Sequence, residues 1–222
     1  KTTQFVDKSI NAIHIKQLEK SFKQSLLNLN KRSVYGLLLH SCDDLLKHNG
    51  ELIFKSMEEL KSAGLVKKIG VSVYNSKQLD AILEKFNVDI VQLPINIFDQ
   101  HFFLGGWLKR LKDNNIEIHA RSVFLQGLLL MSPDSLPPYF SPIKEKMVKF
   151  SKMASNFSLS KLELALSYVM CIHEIDQVVI GINNLQHLHE IINAASIRVS
   201  TRDFSNLLID DPAFINPTNW KI

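Results

Sequence analysis

Apolar residues recur along the chain with two periods, one typical of amphipathic helices and one typical of buried strands. Five short apolar runs, bounded by polar residues or glycine, predict strands over residues 34–40, 68–73, 89–94, 117–123 and 177–181. Between these runs, apolar residues spaced three or four apart predict helices over residues 15–29, 52–63, 76–83, 107–111, 143–154, 161–172 and 185–195. The tail after the last helix is predicted to be irregular.

Helices that alternate with nearly continuous apolar strands, without hairpin signals, predict right-handed crossovers and a parallel sheet covered on both faces. We therefore predict an α/β fold, a (β/α)8 TIM barrel of which about five of the eight strands lie in this chain. Residues 1–222 are predicted to form a single domain, with the three remaining strands expected upstream of Lys1. An open, doubly wound sheet is the alternative. Its G-x-G-x-x-G turn is absent from the sequence, and Gly105-Gly106 alone is weak support for phosphate binding.

Charge and composition narrow the functional classes. The chain has 26 Lys and Arg against 22 Asp and Glu, a net charge of +4, and the basic residues are scattered among acidic ones. A nucleic-acid groove needs a clustered basic stripe with interleaved aromatics, so we expect no nucleic-acid partner. The apolar runs fall far short of the roughly 18 residues that a membrane span needs, so we expect no membrane-spanning segment. Two cysteines without a leader segment favour a cytoplasmic protein.

Polar residues stand near the carboxyl ends of four predicted strands. They are His40, Ser72, Gln92 and Arg121. In parallel barrels the carboxyl ends of the strands carry the chemistry, so these side chains are predicted to form one polar layer there. Polar groups at the ends of apolar strands cost free energy unless they meet one another, water or a ligand.

Each of these residues also has a structural interpretation. His40 is compatible with an ordinary hydrogen-bonded residue at the strand end, and Gln92 with a side chain that bonds the neighbouring backbone. Arg121 is compatible with an ion pair to Glu117 or Asp99. No metal site is predicted, because His187 and His189 are more typical of an exposed helix face than of a metal centre.

Taken together, the segments resemble the aldo-keto reductases, (β/α)8 barrels that reduce carbonyl groups with a nicotinamide cofactor. The resemblance spans nearly the whole chain, and it rests on the order and spacing of several short segments. These are residues 1–2, 25–30, 37–40, 64–72, 91–96, 120–122, 126–129 and 179–181, with Leu188 and Glu190.

The resemblance implies an active site of Asp, Tyr, Lys and His, in which the Tyr protonates the carbonyl oxygen and the His orients the substrate. His40 matches that His, and Lys1 resembles that Lys because the family places it at a strand end before a Thr. An arbitrary first residue is the alternative for Lys1. The Asp and Tyr belong to the first two βα units of the family, which we expect upstream of Lys1.

The resemblance also implies a bound NAD or NADP, with no preference resolved. Ser72 and Gln92 match the positions that hold the nicotinamide carboxamide, and Ser122 matches a neighbour of the pyrophosphate. In the last strand-to-helix turn, where the family often clamps the 2′-phosphate of NADPH with Lys and Arg, this chain has Gly181, Asn183, Asn184 and His187. Glu190, in the helix that follows, is also assigned to the cofactor site.

Two residues depart from the family pattern. Val73 stands where an Asn usually follows the carboxamide Ser, and Arg121 stands where an aromatic residue usually stacks on the nicotinamide ring. A guanidinium stacks on a planar ring but adds positive charge, which favours the neutral reduced cofactor over the cationic oxidised one. Tight retention of NAD(P)H or an anionic substrate is the resulting hypothesis.

The first functional hypothesis is an NAD(P)H-dependent oxidoreductase that reduces an aldehyde or ketone to an alcohol in the parent protein. A non-catalytic, nucleotide-binding regulatory barrel and an inactive fragment are the alternatives. The substrate is expected to be a small carbonyl compound, and the oligomeric state is not predicted. Aromatic residues near the strand ends are assigned either to a substrate pocket or to helix packing. These are Phe98, Phe102, Phe103, Trp107 and Tyr139.

Overall fold

The computed structural model describes residues 1–2, 4–199 and 204–221. Five strands are present in them: β1 (Val34–Leu39), β2 (Val66–Ser72), β3 (Ile90–Pro94), β4 (Glu117–Arg121) and β5 (Gln177–Val178). The α-helices are α1 (Ala12–Asn28), α2 (Asp43–Leu46), α3 (Glu51–Ser62), α4 (Ser76–Leu83), α5 (His101–Leu104), α6 (Trp107–Asp113), α7 (Lys144–Asn156), α8 (Lys161–Met170), α9 (Leu185–Ala194) and α10 (Pro212–Ile215). The strands follow chain order in the sheet, β1-β2-β3-β4-β5.

The chain divides into two compact units. Unit 1 comprises Lys1–Leu93 and Arg110–Ile118, and unit 2 comprises Pro94–Lys109 and His119–Ile222. In unit 1, β1 pairs with β2 and β2 pairs with β3, in both cases parallel. In unit 2, the end of β4 pairs in parallel with β5. The alternation of helices and parallel strands predicted from the hydrophobic pattern is therefore confirmed.

The strands of unit 1 are buried because they carry aliphatic residues on both faces. Ile69, Val71 and Ile90 are each 1% exposed or less, and Met57 of α3 is equally buried. β2 and β3 approach closely at Gly70, where an added Cβ would lie 2.0 Å from the Ile90 carbonyl oxygen. Only glycine fits there, and this approach sets the register in which Ser72 lies opposite Gln92.

A polar cluster lies at the amino-terminal ends of the strands of unit 1. The carboxylate of Glu117, which is mostly buried, accepts hydrogen bonds from Tyr35 Oη at 2.6 Å and from Lys68 Nζ at 2.5 Å. The hydrogen bond to Glu117 raises the pKa of Lys68 above its ordinary value, so the ammonium stays charged. In barrels this end of the strands serves stability rather than catalysis.

Unit 2 is organised by a buried asparagine between two chain segments. Asn96, fully buried, accepts hydrogen bonds at Oδ1 from the backbone N–H groups of Phe98 and Asp99, at 2.9 and 3.0 Å. Its Nδ2 donates to the carbonyl of Ser122 at 3.1 Å. The side chain thus fixes the turn after β3 against the residue that follows β4.

The boundaries of several elements differ from those predicted. β4 ends at Arg121 rather than at residue 123, because Ser122 takes a left-handed conformation with φ +61°. β5 has two residues instead of five, and residues 179–181 instead line a cavity. The tail, predicted to be irregular, contains α10 and short 3₁₀ helices at Ser205–Leu207 and Pro217–Asn219. Proline at the first turn of α10 and of the last 3₁₀ helix supplies the fixed φ that starts each one.

Gly70→Ala is expected to lower the free energy of unfolding by at least about 2 kcal/mol, because the new Cβ must displace the backbone of β3. Gly36→Ala is the matched control, since the atom nearest to its Cβ would be the flexible Cδ1 of Ile90, at 3.0 Å, and the backbone carbonyl of Lys68 lies 4.0 Å away. Urea denaturation followed by circular dichroism measures both. Equal losses for the two variants would contradict the close approach of β2 and β3.

His101 gives unit 2 a pH-dependent contribution to stability. Its Nδ1 lies 3.1 Å from Asp99 and its Nε2 lies 3.5 Å from Asp210. The hydrogen bond with Asp99 is the main cause that raises the pKa of His101 above its ordinary value. A raised folded-state pKa means that the contribution is complete below about pH 6.5 and is lost as pH rises through the folded-state value.

The difference in unfolding free energy between wild type and His101→Asn should therefore shrink as pH rises from about 6 to about 8. Because the His101 side chain is 45% exposed, the difference at low pH is expected to stay below about 1 kcal/mol. Denaturation at a series of pH values measures it, with the exposed His189→Asn as the control. A difference that grows with pH would reverse the sign of the assigned interaction.

Candidate functional site

The carboxyl ends of β2 and β3 place two predicted cofactor residues opposite each other. Ser72 and Gln92 are register partners, and both are buried, 1% and 7% exposed. Beyond them, the backbone N–H of Val73 donates to the carbonyl of Gln92 at 2.9 Å, so the pairing continues past the end of β2. A hydroxyl and a carboxamide thus stand side by side at this edge.

The first two residues of the chain lie against the same edge. Thr2 donates its backbone N–H to the carbonyl of Leu38 at 3.0 Å, and its Oγ1 accepts from the N–H of His40 at 3.2 Å. Anchored in this way, Lys1 extends Nζ to 3.2 Å from the Oγ of Ser72. The structure therefore brings Lys1 to Ser72 and places His40 at the neighbouring strand end. These contacts also accommodate the structural interpretation of His40.

The end of β4 carries the next two predicted residues, which belong to unit 2. Arg121, the last residue of the strand, donates from Nη1 to the Oγ of Ser122 at 3.1 Å. The left-handed conformation of Ser122 turns the chain out of the strand, and Asn96 holds its carbonyl.

A cavity of about 470 Å³ opens within unit 2 between the loop after β4, the end of β5 and α9. We call it the β4–α9 cavity. Four residues assigned to the cofactor from the sequence line it together: Ser122, Gly181, Asn183 and Glu190. Apolar side chains, among them Phe124, Leu162 and Ile191, form the rest of its wall. Most of the predicted positions in this half of the chain thus converge on one concave surface.

The loop after β4 adds residues to the cavity for which no role was predicted. Leu125, Gln126 and Gly127 follow one another with positive φ angles of 47°, 54° and 86°. Such a run is strained for the two non-glycine residues, and strain of this kind is kept where the surrounding structure fixes the loop. It folds the chain back so that Phe124, Gln126 and Gly127 line the cavity. The Gln126-Gly127 pair, a turn signal, was the available indication.

Three residues of α9, namely His187, Glu190 and Ile191, line the same cavity. Asn184 is the N-cap, and its Oδ1 accepts from the backbone N–H of His187 at 2.8 Å. The first amides of a helix and its dipole attract anions, above all phosphates. His187 in the first turn and Glu190 three residues later line the cavity from the same face of the helix. The Nε2 of Gln186 donates to the Oε1 of Glu190 at 2.9 Å.

Two of the aromatic residues assigned either to a pocket or to packing serve packing. Phe98 is fully buried against Phe150, with ring centroids 5.9 Å apart. Tyr139 packs on Phe140 and donates its hydroxyl to the carbonyl of Ala213 at 2.9 Å.

A metal centre and a membrane span are both absent from the described residues. Within residues 1–2, 4–199 and 204–221, no group of three His, Cys, Asp or Glu side chains is arranged to hold a metal ion. Over the same residues, no helix has the length and apolar character needed to cross a bilayer.

Comparison with known proteins assigns the family. The sequence profile of the Aldo/keto reductase family matches residues 5–208, and the chain therefore belongs to that family. An uncharacterized oxidoreductase of Bacillus subtilis, YqkF, is 24% identical over 195 residues, which is 84% of this chain. The match spans 62% of the length of that curated relative.

Solved structures of the same family share the fold. The holo form of the aldo-keto reductase AKR11C1 from Bacillus halodurans matches with a TM-score of 0.71 at 18% identity, over 97% of this chain and 73% of that chain. The glycerol dehydrogenase AKR11B4 from Gluconobacter oxydans matches with a TM-score of 0.69 at 18% identity, over 96% of this chain and 67% of that chain. The fold is thus that of the (β/α)8 barrel of these reductases, represented in part by five parallel strands.

Asn184→Ala should lower the free energy of unfolding by about 1 kcal/mol, because it removes the oxygen that caps α9. Asn184→Ser retains a capping oxygen and is expected to recover most of that stability. Thermal and urea denaturation compare the two variants. If serine were no better than alanine, the cap would not be what holds the first turn of α9 in place.

Proposed function

We propose that the protein is a nicotinamide-dependent oxidoreductase that reduces an aldehyde or ketone to an alcohol. The observation that carries the proposal is the β4–α9 cavity, where four positions assigned to the cofactor meet at a helix amino terminus. Family membership supports the same reaction class.

The cavity suits a dinucleotide in size and in chemistry. Its volume of about 470 Å³ falls in the range of small-molecule sites, and its wall combines apolar side chains with a few polar ones. The Ser122 hydroxyl and the Asn183 carboxamide on its wall offer hydrogen bonds to a diphosphate. Phe124 and Ile191 offer flat and aliphatic surface to the adenine ring.

In unit 1, the residues at the strand ends carry the polar groups that a nicotinamide carboxamide needs. A carboxamide has one acceptor and two donor hydrogens, which the Ser72 hydroxyl and the Gln92 side chain complement. When bound, the nicotinamide supplies the hydride that reduces the carbonyl carbon. His40 is proposed to orient the carbonyl group. The Lys1 ammonium, already held at Ser72, is proposed to stabilise the negative charge that develops on the carbonyl oxygen as the hydride arrives, and the proton that completes the alcohol is the one expected from the family's Tyr.

A nucleotide-binding protein without turnover is the second candidate. Val73, fully buried next to Ser72, has no polar group for the carboxamide, and Arg121 brings a cation to the end of β4 in place of an aromatic ring. The missing contact at Val73 leaves the nicotinamide less firmly oriented for hydride transfer, and the Arg121 cation favours retention of the neutral reduced cofactor. The two candidates share the binding site and differ in whether a carbonyl compound oxidises the bound reduced cofactor.

His187→Ala should weaken binding of reduced nicotinamide dinucleotide by about three- to tenfold, because it removes a polar contact from the cavity wall. His189→Ala is the matched control, being the same change on the same helix outside the cavity. Cofactor fluorescence, titrated with the 222-residue chain, measures both affinities.

No binding by the wild-type chain, or equal losses for the two variants, would contradict the proposed site. Binding that persists while a panel of aldehydes and ketones fails to oxidise the bound cofactor would favour the non-catalytic alternative.

A further inference from the structure

The β4–α9 cavity carries a charge pattern that bears on which dinucleotide it accepts. We propose that it selects the dinucleotide with a free ribose 2′-hydroxyl, NADH, against the 2′-phosphorylated NADPH. The inference rests on the proposed function and concerns the specificity of that same site.

Among the described residues that line the cavity, the ionisable side chains are His187 and Glu190, and neither Lys nor Arg is among them. A phosphate monoester carries a charge of about −1.5 to −2 near neutral pH, and sites that bind it tightly supply Arg or Lys. A 2′-phosphate in this cavity would meet a carboxylate without a guanidinium or an ammonium on the wall to offset it.

The basic residues next to the lining residues in sequence are directed to other partners. Lys161 precedes the lining residue Leu162, and its Nζ donates to the carbonyl of Met131 at 2.5 Å. Arg121 precedes Ser122 and donates to its hydroxyl at 3.1 Å, so it borders the cavity at Ser122 without being one of its lining residues. Gly181, three residues after the end of β5, brings backbone and no charge to the wall.

Glu190 is equipped to accept hydrogen bonds from a ribose. Its Oε1 accepts from Gln186, and no hydrogen bond to Oε2 is formed by the described part of the chain. A carboxylate accepts readily from the two vicinal hydroxyls of a ribose, which is how acidic residues in other dinucleotide sites distinguish NAD from NADP. The same carboxylate repels a 2′-phosphate, and because Glu190 is exposed to solvent the repulsion depends on ionic strength.

The proposal predicts that the wild-type 222-residue chain binds NADH about tenfold or more tightly than NADPH. Titration by isothermal calorimetry and by cofactor fluorescence at about pH 8, where histidine is mainly neutral, measures the ratio. Low ionic strength keeps the repulsion unscreened. Equal affinities or tighter NADPH binding would overturn the selectivity and leave the proposed function standing. Failure of both dinucleotides to bind would overturn the function as well.

Two variants test the assigned residues. Glu190→Gln keeps the shape and removes the charge, so it should raise NADPH affinity and lower the NADH to NADPH ratio several-fold, about three- to tenfold. His187→Arg places a guanidinium on the wall and should lower the ratio further.

His189→Arg is the control, since it adds the same charge to the same helix outside the cavity and should leave the ratio unchanged. Thermal melts establish that each variant is folded. A ratio that responds equally to His187→Arg and His189→Arg would show that net charge, rather than the cavity wall, sets the preference, and would overturn the proposal.

Discussion

The close approach of β2 and β3 at Gly70 is the constraint on which the strand-end chemistry of unit 1 depends. With no Cβ at this position, the Ile90 carbonyl comes within the space that any other side chain would occupy. The two strands therefore run in one register to their carboxyl ends, where Ser72 lies opposite Gln92. Lys1 reaches the Ser72 hydroxyl because Thr2 is hydrogen-bonded to the end of β1. A shift of one residue would turn each of these side chains to the opposite face.

Unit 2 achieves its concave surface by a different device. The chain leaves β4 through Ser122 and then residues 125–127, all with positive φ, and this costly backbone is held by Asn96 and by burial of Leu125. The loop forms one wall of the β4–α9 cavity, and the capped first turn of α9 forms another. The strained loop and the capped helix together place a few polar side chains around one space. Such fixed donors bind an anionic ligand without reorganisation.

The hydrophobic pattern was sufficient for the order of helices and strands, because a parallel strand covered on both faces has a sequence signature that few other structures share. The hydrophobic pattern was less reliable for the positions at which helices and strands end. β5 was predicted over five residues because Val179 and Ile180 continue its apolar run. In the structure the pairing with β4 ends with the hydrogen bond from the Val179 N–H to the Ala120 carbonyl, at 2.8 Å, and both residues line the cavity. In the tail, short helices such as α10 lack the length over which a period can be recognised, and only Pro212 marked its start.

The sequence by itself determined the family, the alternation of elements and the polar identity of the strand ends, since each of these depends on residue type and spacing along the chain. The tertiary structure decided which of those residues meet. It brought Lys1 to Ser72, gathered Ser122, Asn183 and Glu190 around one cavity, and assigned Phe98 and Tyr139 to packing. The physical reason lies in the left-handed backbone at Ser122 and Gln126, which sets the path of the loop. This conformation is favourable only when distant contacts hold it, and it leaves no periodic pattern in the sequence.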